Sequence, residues 1–285
     1  MSRPRLRSIL SAACLMLIWV VVGPTAAFGQ SLTRVQVEAR LPALAALAQQ
    51  TIDAGDVPGL AIAVVFDDEV MFLRGFGRRE AGKPDIVGPD TVFQIASLSK
   101  PVTSTVVAIL VSEGVADWDS RIADLDPAFQ LYDSYPTTQV TVRDLLNHRS
   151  GLPGIGGDDL EDIGYGGDEI LHRLRLVRAS SSFRAGYSYS NFGFTQGAIA
   201  AAKPINKPWD IVAQEKLFGP LGMTSTSTRH KDFLTRADRA SLHVRVDGVW
   251  AAKLKRNPDA QATAGGVSPN VRALAQWLRL FGLRW

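Results

Sequence analysis

The sequence predicts a mixed α/β fold with a long helical middle, and two hairpin patterns on either side of that middle indicate it. The first hairpin joins the apolar run Leu60–Phe66 to the run Val70–Gly77 across a short acidic turn. The second joins Leu242–Val246 to Val249–Leu254 across a two-residue turn. Between the hairpins, apolar residues recur at helical spacing, and a further helical pattern follows the second hairpin.

The elements before residue 115 each have a local signal. The segment Val35–Ala54 is rich in Ala, Leu and Gln, which predicts a helix that Gly55 ends. The first strand is nearly all apolar, so we expect it to be covered on both faces. Apolar positions recur from Val102 to Glu113 and predict a helix that Gly114 ends. Pro101 falls in its first turn, where a missing N–H costs little.

Helical patterns dominate after residue 115, and we expect a helical subdomain over about residues 115–240. Thr141–Asp144 resembles a capping box and opens a short helix. The segment Gly151–Gly167 holds eight glycines and prolines, which is typical of a loop. Further helical patterns lie at Glu169–Val177, Phe194–Ala202, Trp209–Leu217 and Val271–Leu280.

Residues 1–29 have the pattern of a secretory signal peptide. Three arginines precede the apolar run Ile9–Val22, and small residues lead to a cleavage site near Gly29. The alternative is an uncleaved membrane anchor, but the run falls short of the roughly 20 apolar residues that span a bilayer. We therefore expect an exported protein, periplasmic or extracellular, whose single domain covers residues 30–285 and which has no stable membrane span after cleavage.

The charge and the cysteine content of the chain limit which binding partners and which kinds of catalysis we expect. The chain has 31 basic and 28 acidic residues, and three of the basic ones, Arg3, Arg5 and Arg7, belong to the signal segment. The remainder is neutral, so we expect no nucleic-acid partner. Cys14 is the only cysteine and lies in the same segment, so the mature chain has no thiol nucleophile. The four histidines lack metal-ligand spacing, and we expect neither a metal nor a cofactor.

Ser97 and Lys100 form the most informative pair in the sequence. Residues three apart on a helix share one face and touch. A lysine at that distance can take the proton of a serine hydroxyl, which is otherwise a weak nucleophile. At a helix N-terminus, Ser97 also meets a partial positive charge that favours developing negative charge. Taken alone, the pair could equally be a helix cap and a solvated lysine.

Tyr189 and Asn191 form a second polar pair. In an extended segment, residues two apart point to the same side, so both side chains could face one cleft. A tyrosinate beside a lysine ammonium is a reasonable general base, because each charge stabilises the other. The amide NH2 group of Asn191 could orient a substrate carbonyl. The alternative is that both side chains only satisfy a turn.

Five stretches, in this order along the chain, resemble the serine β-lactamase and penicillin-binding-protein superfamily, and cover about residues 35 to 280. The resemblance is greatest to class C β-lactamase-like serine hydrolases and their D-alanyl-D-alanine carboxypeptidase relatives. The stretches are Phe93-Gln94-Ile95-Ala96-Ser97-Leu98-Ser99-Lys100-Pro101, Leu145-Leu146-Asn147-His148-Arg149-Ser150-Gly151-Leu152-Pro153, Tyr189-Ser190-Asn191-Phe192-Gly193, Pro220-Leu221-Gly222-Met223 and Ala264-Gly265-Gly266-Val267-Ser268. The resemblance implies an antiparallel sheet flanked by helices, packed against an all-helical domain, with the active site in the groove between them.

The resemblance also implies roles for the four polar residues. Ser97 would be the acylated nucleophile, and Lys100 would assist its deprotonation. The backbone N–H of Ser97 would supply one oxyanion donor. Tyr189 would be the base for acylation, and Asn191 would hold the substrate amide or ester. The substrate would be a β-lactam, a D-alanyl peptide or a small ester. His148 lies in a stretch that is a structural loop in the family, so we do not expect it to be catalytic.

One family motif is absent from the sequence. No Lys or His is followed by Thr or Ser and then Gly, the pattern that lines the family's site from a sheet strand. We therefore expect a chain truncated before this motif, with C-terminal sheet strands missing. The alternative function is a catalytically impaired or non-catalytic relative with at most a binding role.

Overall fold

The computed structural model of the protein describes residues 32–282, and the predicted signal peptide over 1–29 lies outside them. The strands are β1 Gly59–Phe66, β2 Glu69–Gly77, β3 Leu242–Val246 and β4 Val249–Leu254. The α-helices are α1 Arg34–Glu38, α2 Leu41–Asp53, α3 Ser99–Ser112, α4 Ile122–Leu125, α5 Ser134–Gln139, α6 Val142–Leu146, α7 Asp158–Asp162, α8 Gly167–Arg173, α9 Asn191–Ala202, α10 Trp209–Ala213, α11 His230–Thr235, α12 Ala262–Gly265 and α13 Val271–Gly282. None of these helices is long and apolar enough to cross a membrane.

Both predicted hairpins are present, so the predicted α/β class is confirmed. β1 pairs antiparallel with β2, and β3 pairs antiparallel with β4. The turn residues Asp67, Asp68 and Asp247 all have positive φ, as does Gly248. Two consecutive left-handed residues give a turn whose twist matches that of the flanking strands, which explains the tight two-residue connections.

The expectation that the first strand is covered on both faces is wrong. Each of the eight residues of β1 keeps part of its surface exposed. Among the described strands β1 pairs only with β2, so its other edge carries no partner strand. Helix α13 packs against β1, but helix packing on a face leaves that edge uncovered.

The single helix expected over Val35–Ala54 is two helices. α1 ends at Glu38, and α2 restarts at Leu41 with Pro42 in its first turn. Proline has no backbone N–H and its ring collides with the carbonyl four residues earlier, which for Pro42 is Glu38. The apolar pattern in the sequence runs on through the break between α1 and α2, because a proline in the first turn of a helix does not change the spacing of the apolar side chains.

The elements between α3 and β3 are helical in the described chain, as the sequence predicts. Thr141 forms the predicted capping box with Asp144, each side chain accepting a backbone N–H of the other residue. The subdomain boundaries at about 115–240 stay a prediction. The helices there bury the first of two hydrophobic clusters, which includes Phe192 and Leu145.

Helix α3 is anchored in both hydrophobic clusters. Val107 belongs to the first cluster, whereas Val102, Val106 and Leu110 belong to the second with Phe218. All four α3 residues have at most 1% of their surface exposed. Packing on several sides fixes the helix, so its first turn is a rigid platform for the side chains that project from it.

Candidate active site

Ser97 and Lys100 lie where a 3₁₀ turn, Ala96–Leu98, leads into α3. Ala96 has φ +46°, a left-handed conformation that is uncommon for alanine. The change of direction leaves Ser97 exposed, while Lys100 in the following turn is only 8% exposed. The hydroxyl is therefore accessible to a small molecule, and the ammonium group is held beneath it.

The hydroxyl of Ser97 meets two other functional groups. Tyr189 Oη lies 2.7 Å from Ser97 Oγ, and Lys100 Nζ lies 3.3 Å from the same atom. Lys100 Nζ also contacts Tyr189 Oη directly. The three groups form a closed triangle of hydrogen bonds, so Tyr189 or Lys100, whichever has lost its own proton, is within reach of the serine proton.

Two further oxygens accept hydrogen bonds from Lys100. Nζ lies 2.7 Å from Asn191 Oδ1 and 3.1 Å from the carbonyl oxygen of Ala264. An ammonium group has three protons, so four acceptors around it share them. The contact with Ser97 is the longest of the four, which makes it the one most easily exchanged.

The beginning of α9 places Tyr189 and Asn191. Ser190 is the N-cap residue: its Oγ accepts the backbone N–H of Gly193 at 3.0 Å. Its extended backbone lets the residues on either side reach the same lysine, as the spacing predicts. Ser190 also donates its backbone N–H to His148 Nδ1 at 3.1 Å.

Burial sets the electrostatics of Lys100. Removing the ammonium group from water lowers the pKa of Lys100 below its usual value. The contact with Tyr189 and the negative charge of Asp158 oppose this effect and raise the pKa. Nζ also lies 4.6 Å from the centre of the Tyr189 ring and 5.6 Å from that of Phe194. The net result is a lysine that gives up its proton more readily than an exposed one.

His148 supports the site without touching the serine hydroxyl in the described contacts. It is 8% exposed, its ring centre lies 4.6 Å from that of Tyr189, and it also packs on Phe194. Burial, followed by the charge of Lys100, lowers the pKa of His148 to about 4. A neutral imidazole that accepts the Ser190 N–H supports the structural interpretation of this residue.

Ser97 and Asn191 open into a cavity of about 330 Å³. Its other lining residues are Gln94, Ala96, Asp158, Leu242, Arg256, Pro258, Gln261 and Gly265. Ser99, two residues from Ser97, is turned away and completely buried, and its Oγ accepts the Val267 N–H at 2.9 Å. Only one of the two serines in the motif is therefore available to a ligand in the cavity.

The structure adds Asp158 and the Ala264 carbonyl, which sequence reasoning missed. Asn191 donates its Nδ2 hydrogen to Asp158 Oδ2 at 2.8 Å, so its amide is already engaged on both sides. Burial raises the pKa of Asp158, while the hydrogen bond from Asn191 and the charge of Arg256 lower it. In the sequence, Asp158 begins the acid-rich helix α7, a pattern typical of a solvated surface.

Within residues 32–282, no group of three or more His, Cys, Asp or Glu side chains could hold a metal ion. The polar groups around Ser97 are an amine, a phenol, an amide and a carboxylate. Their chemistry is that of proton transfer and hydrogen bonding.

The protein belongs to the Beta-lactamase family, whose family model matches residues 44–284. The fold agrees with this assignment. An octameric penicillin-binding protein homologue from Pyrococcus abyssi has a similar structure, with a TM-score of 0.72 at 22% sequence identity. That match covers 85% of this chain and 56% of the archaeal chain.

Curated relatives include enzymes and penicillin-binding proteins. The unguisins hydrolase ungD' of Aspergillus campestris is 27% identical over 82% of this chain and 45% of its own length. Penicillin-binding protein 4 of Amycolatopsis lactamdurans is 32% identical over 62% of this chain and 46% of its own length. Penicillin-binding protein 4* of Bacillus subtilis is 28% identical over 55% of this chain and 35% of its own length. The chain thus spans about half the length, or less, of these relatives.

Proposed function

We propose that the protein is an exported serine hydrolase that acts on an amide or ester through an acyl-enzyme. One observation carries the proposal: the oxygen of Ser97, a residue that lines an open cavity, lies within hydrogen-bond distance of both Tyr189 and Lys100. Acyl transfer through a serine requires a general base in direct contact with the nucleophile. Family membership supports the same assignment.

In the proposed acylation, Ser97 Oγ attacks the acyl carbon while its proton passes to the Tyr189–Lys100 pair. The bond from the acyl carbon to the leaving nitrogen or oxygen then breaks, and the pair returns the proton to the leaving group. Lys100 suits this role because burial lowers its pKa, and because its ammonium form would stabilise negative charge on the Tyr189 oxygen. The backbone N–H of Ser97 is the proposed donor to the oxyanion.

In the second half, water attacks the Ser97 ester, the acid is released and the serine hydroxyl is restored. Asn191 is proposed to bind the substrate carbonyl or amide, since it lines the cavity beside Ser97. The candidate substrates are those that the family resemblance implies, namely a β-lactam, a D-alanyl peptide and a small ester. The relatives include a protein named as an unguisins hydrolase and one named as a penicillin-binding protein. No nucleic-acid or metal partner is part of the proposal.

A covalent probe tests the nucleophile. A fluorescent penicillin and a fluorophosphonate should each label the protein once, and Ser97→Ala should abolish the label. Ser99→Ala is the matched control, because Ser99 is buried and faces Val267. Its labelling per folded molecule should equal that of the wild type. Labelling that survives Ser97→Ala would refute the assignment of the nucleophile.

Turnover separates hydrolysis from the binding-only alternative. The intact protein should gain the acyl mass and then lose it when it is followed by mass spectrometry. The substrates to be tried are nitrocefin, a D-alanyl dipeptide and a p-nitrophenyl ester. Release of more than one equivalent of product from any of these supports hydrolysis. A label that forms once and never leaves favours a protein that only captures its ligand.

Export is tested at the N-terminus. The proposed cleavage near Gly29 predicts a secreted or periplasmic protein whose first residue lies close to Gln30. N-terminal sequencing of the protein recovered from each cell fraction measures this directly. A product that keeps Met1 in the membrane fraction would instead indicate an uncleaved anchor.

A further inference from the structure

The amide of Asn191 lies between a cation and a carboxylate. Its Oδ1 accepts from Lys100 Nζ at 2.7 Å, and its Nδ2 donates to Asp158 Oδ2 at 2.8 Å. An NH2 group has two hydrogens, so one remains for a ligand in the cavity that both Asn191 and Asp158 line. The amide can present that hydrogen only while its nitrogen and oxygen stay in this orientation.

Lys100 alone cannot hold this orientation throughout the proposed reaction. As an ammonium group it only donates hydrogen bonds, and it therefore selects the oxygen of Asn191. Once it transfers a proton it is a neutral amine, which accepts as readily as it donates. A carboxylate, by contrast, only accepts, so Asp158 selects the nitrogen of Asn191 whatever the protonation state of Lys100.

We infer that Asp158 is a positioning residue of the acyl-transfer site: it fixes the amide of Asn191 and places a negative charge two hydrogen bonds from Lys100. The inference rests on the proposed function for its kinetic consequences. Its electrostatic part does not, because the field of a carboxylate at Lys100 is present whether or not the protein turns over a substrate.

The surrounding charges define what Asp158 contributes. Burial is the main influence on the pKa of Asp158 and raises it, and the charge of Asp162 also raises it. The hydrogen bond from Asn191 and the charges of Arg256 and Lys100 lower it. The titratable groups that face Lys100 are Tyr189, Asp158 and the neutral imidazole of His148. Since Asp158 raises the pKa of Lys100, neutralising it should lower that pKa. A rate that needs neutral Lys100 then rises at lower pH.

The test compares Asp158→Asn with Asp158→Glu. Asparagine keeps the shape but removes the charge, and it can donate to a flipped Asn191. We expect Asp158→Asn to reduce the rate at which a fluorophosphonate phosphonylates Ser97, with loss of fluoride, at least 10-fold at its pH optimum. We also expect its rising pH limb to shift to lower pH, because the negative charge that raises the pKa of Lys100 is removed. Asp158→Glu should restore the position of the limb, which a loss of packing would not do.

Asp159→Asn is the matched control, because Asp159 is the next residue of the same acidic helix and is exposed. It should leave both the rate and the pH limb as in the wild type. Equal pH profiles for the two asparagine variants would overturn the positioning role.

A second measurement is independent of activity. In protein labelled with ¹³C at lysine, the NMR signal that is absent from Lys100→Arg identifies Lys100. The titration of that signal should move to lower pH in Asp158→Asn but not in Asp159→Asn. If Ser97→Ala shows that Ser97 is not the nucleophile, this shift still tests the charge of Asp158. An unchanged Lys100 titration would overturn the inference even in an active enzyme.

Discussion

Replacing His148 with a side chain that cannot titrate tests how the site is built, because the pH dependence of folding stability reports on the buried ring. His148 has φ +58° and accepts the Ser190 N–H through Nδ1. The substitution His148→Asn keeps both features: asparagine tolerates the left-handed region, and its Oδ1 lies close to the position of an imidazole Nδ1. What the variant loses is the ring that packs on Tyr189 and the ability to become charged.

The magnitude follows from the depressed pKa. The unfolded chain titrates at the ordinary value of 6.5, whereas the folded protein titrates at about 4. A histidine with a lowered folded-state pKa leaves stability intact above pH 6.5, and stability falls as pH drops from 6.5 towards 4. Between pH 7 and pH 5 this one group removes about 2 kcal/mol of the free energy of unfolding, from 1.36 kcal/mol per pKa unit.

Urea unfolding at pH 7 and at pH 5, followed by tryptophan fluorescence, measures this difference. The free energy of unfolding of His148→Asn should fall by about 2 kcal/mol less than that of the wild type between the two pH values. The lost ring packing lowers stability equally at both pH values and cancels. His172→Asn is the control for the loss of a histidine, since His172 is exposed on α8. Identical pH dependence in His148→Asn and the wild type would refute the argument that His148 is buried as a neutral base.

Two further predictions concern the scaffold. Ser99→Ala should lower the free energy of unfolding by about 1–3 kcal/mol at pH 7, because it leaves the buried N–H of Val267 without its acceptor. A loss below a few tenths of a kcal/mol would show that this hydrogen bond contributes little to stability. Gly75→Ala should destabilise by about 1–3 kcal/mol in the same urea assay, because its Cβ would lie 2.2 Å from the Val87 carbonyl oxygen; a wild-type midpoint would mean that this segment moves aside freely.

The local elements were accessible from sequence because their signals are local. The second hairpin, Leu242–Val246 with Val249–Leu254, has the predicted bounds, since alternation and a turn pair define both strands. The break between α1 and α2 was missed although Pro42 signals it, because the apolar pattern runs through it. The partial exposure of β1 could not be read from its composition, because an apolar run does not show how many strands or helices will cover it.

The candidate site divides in the same way. The sequence by itself singled out Ser97, Lys100, Tyr189 and Asn191 as candidates, because the spacing within each motif predicts that the side chains lie on one face. Only the tertiary structure decided what stands around them. Asp158 reaches Asn191 from 33 positions away, and Ala264 reaches Lys100 from 164 positions away. The lowered pKa of Lys100 likewise depends on burial by packed helices. Pairing and desolvation arise from long-range packing, which no local pattern encodes.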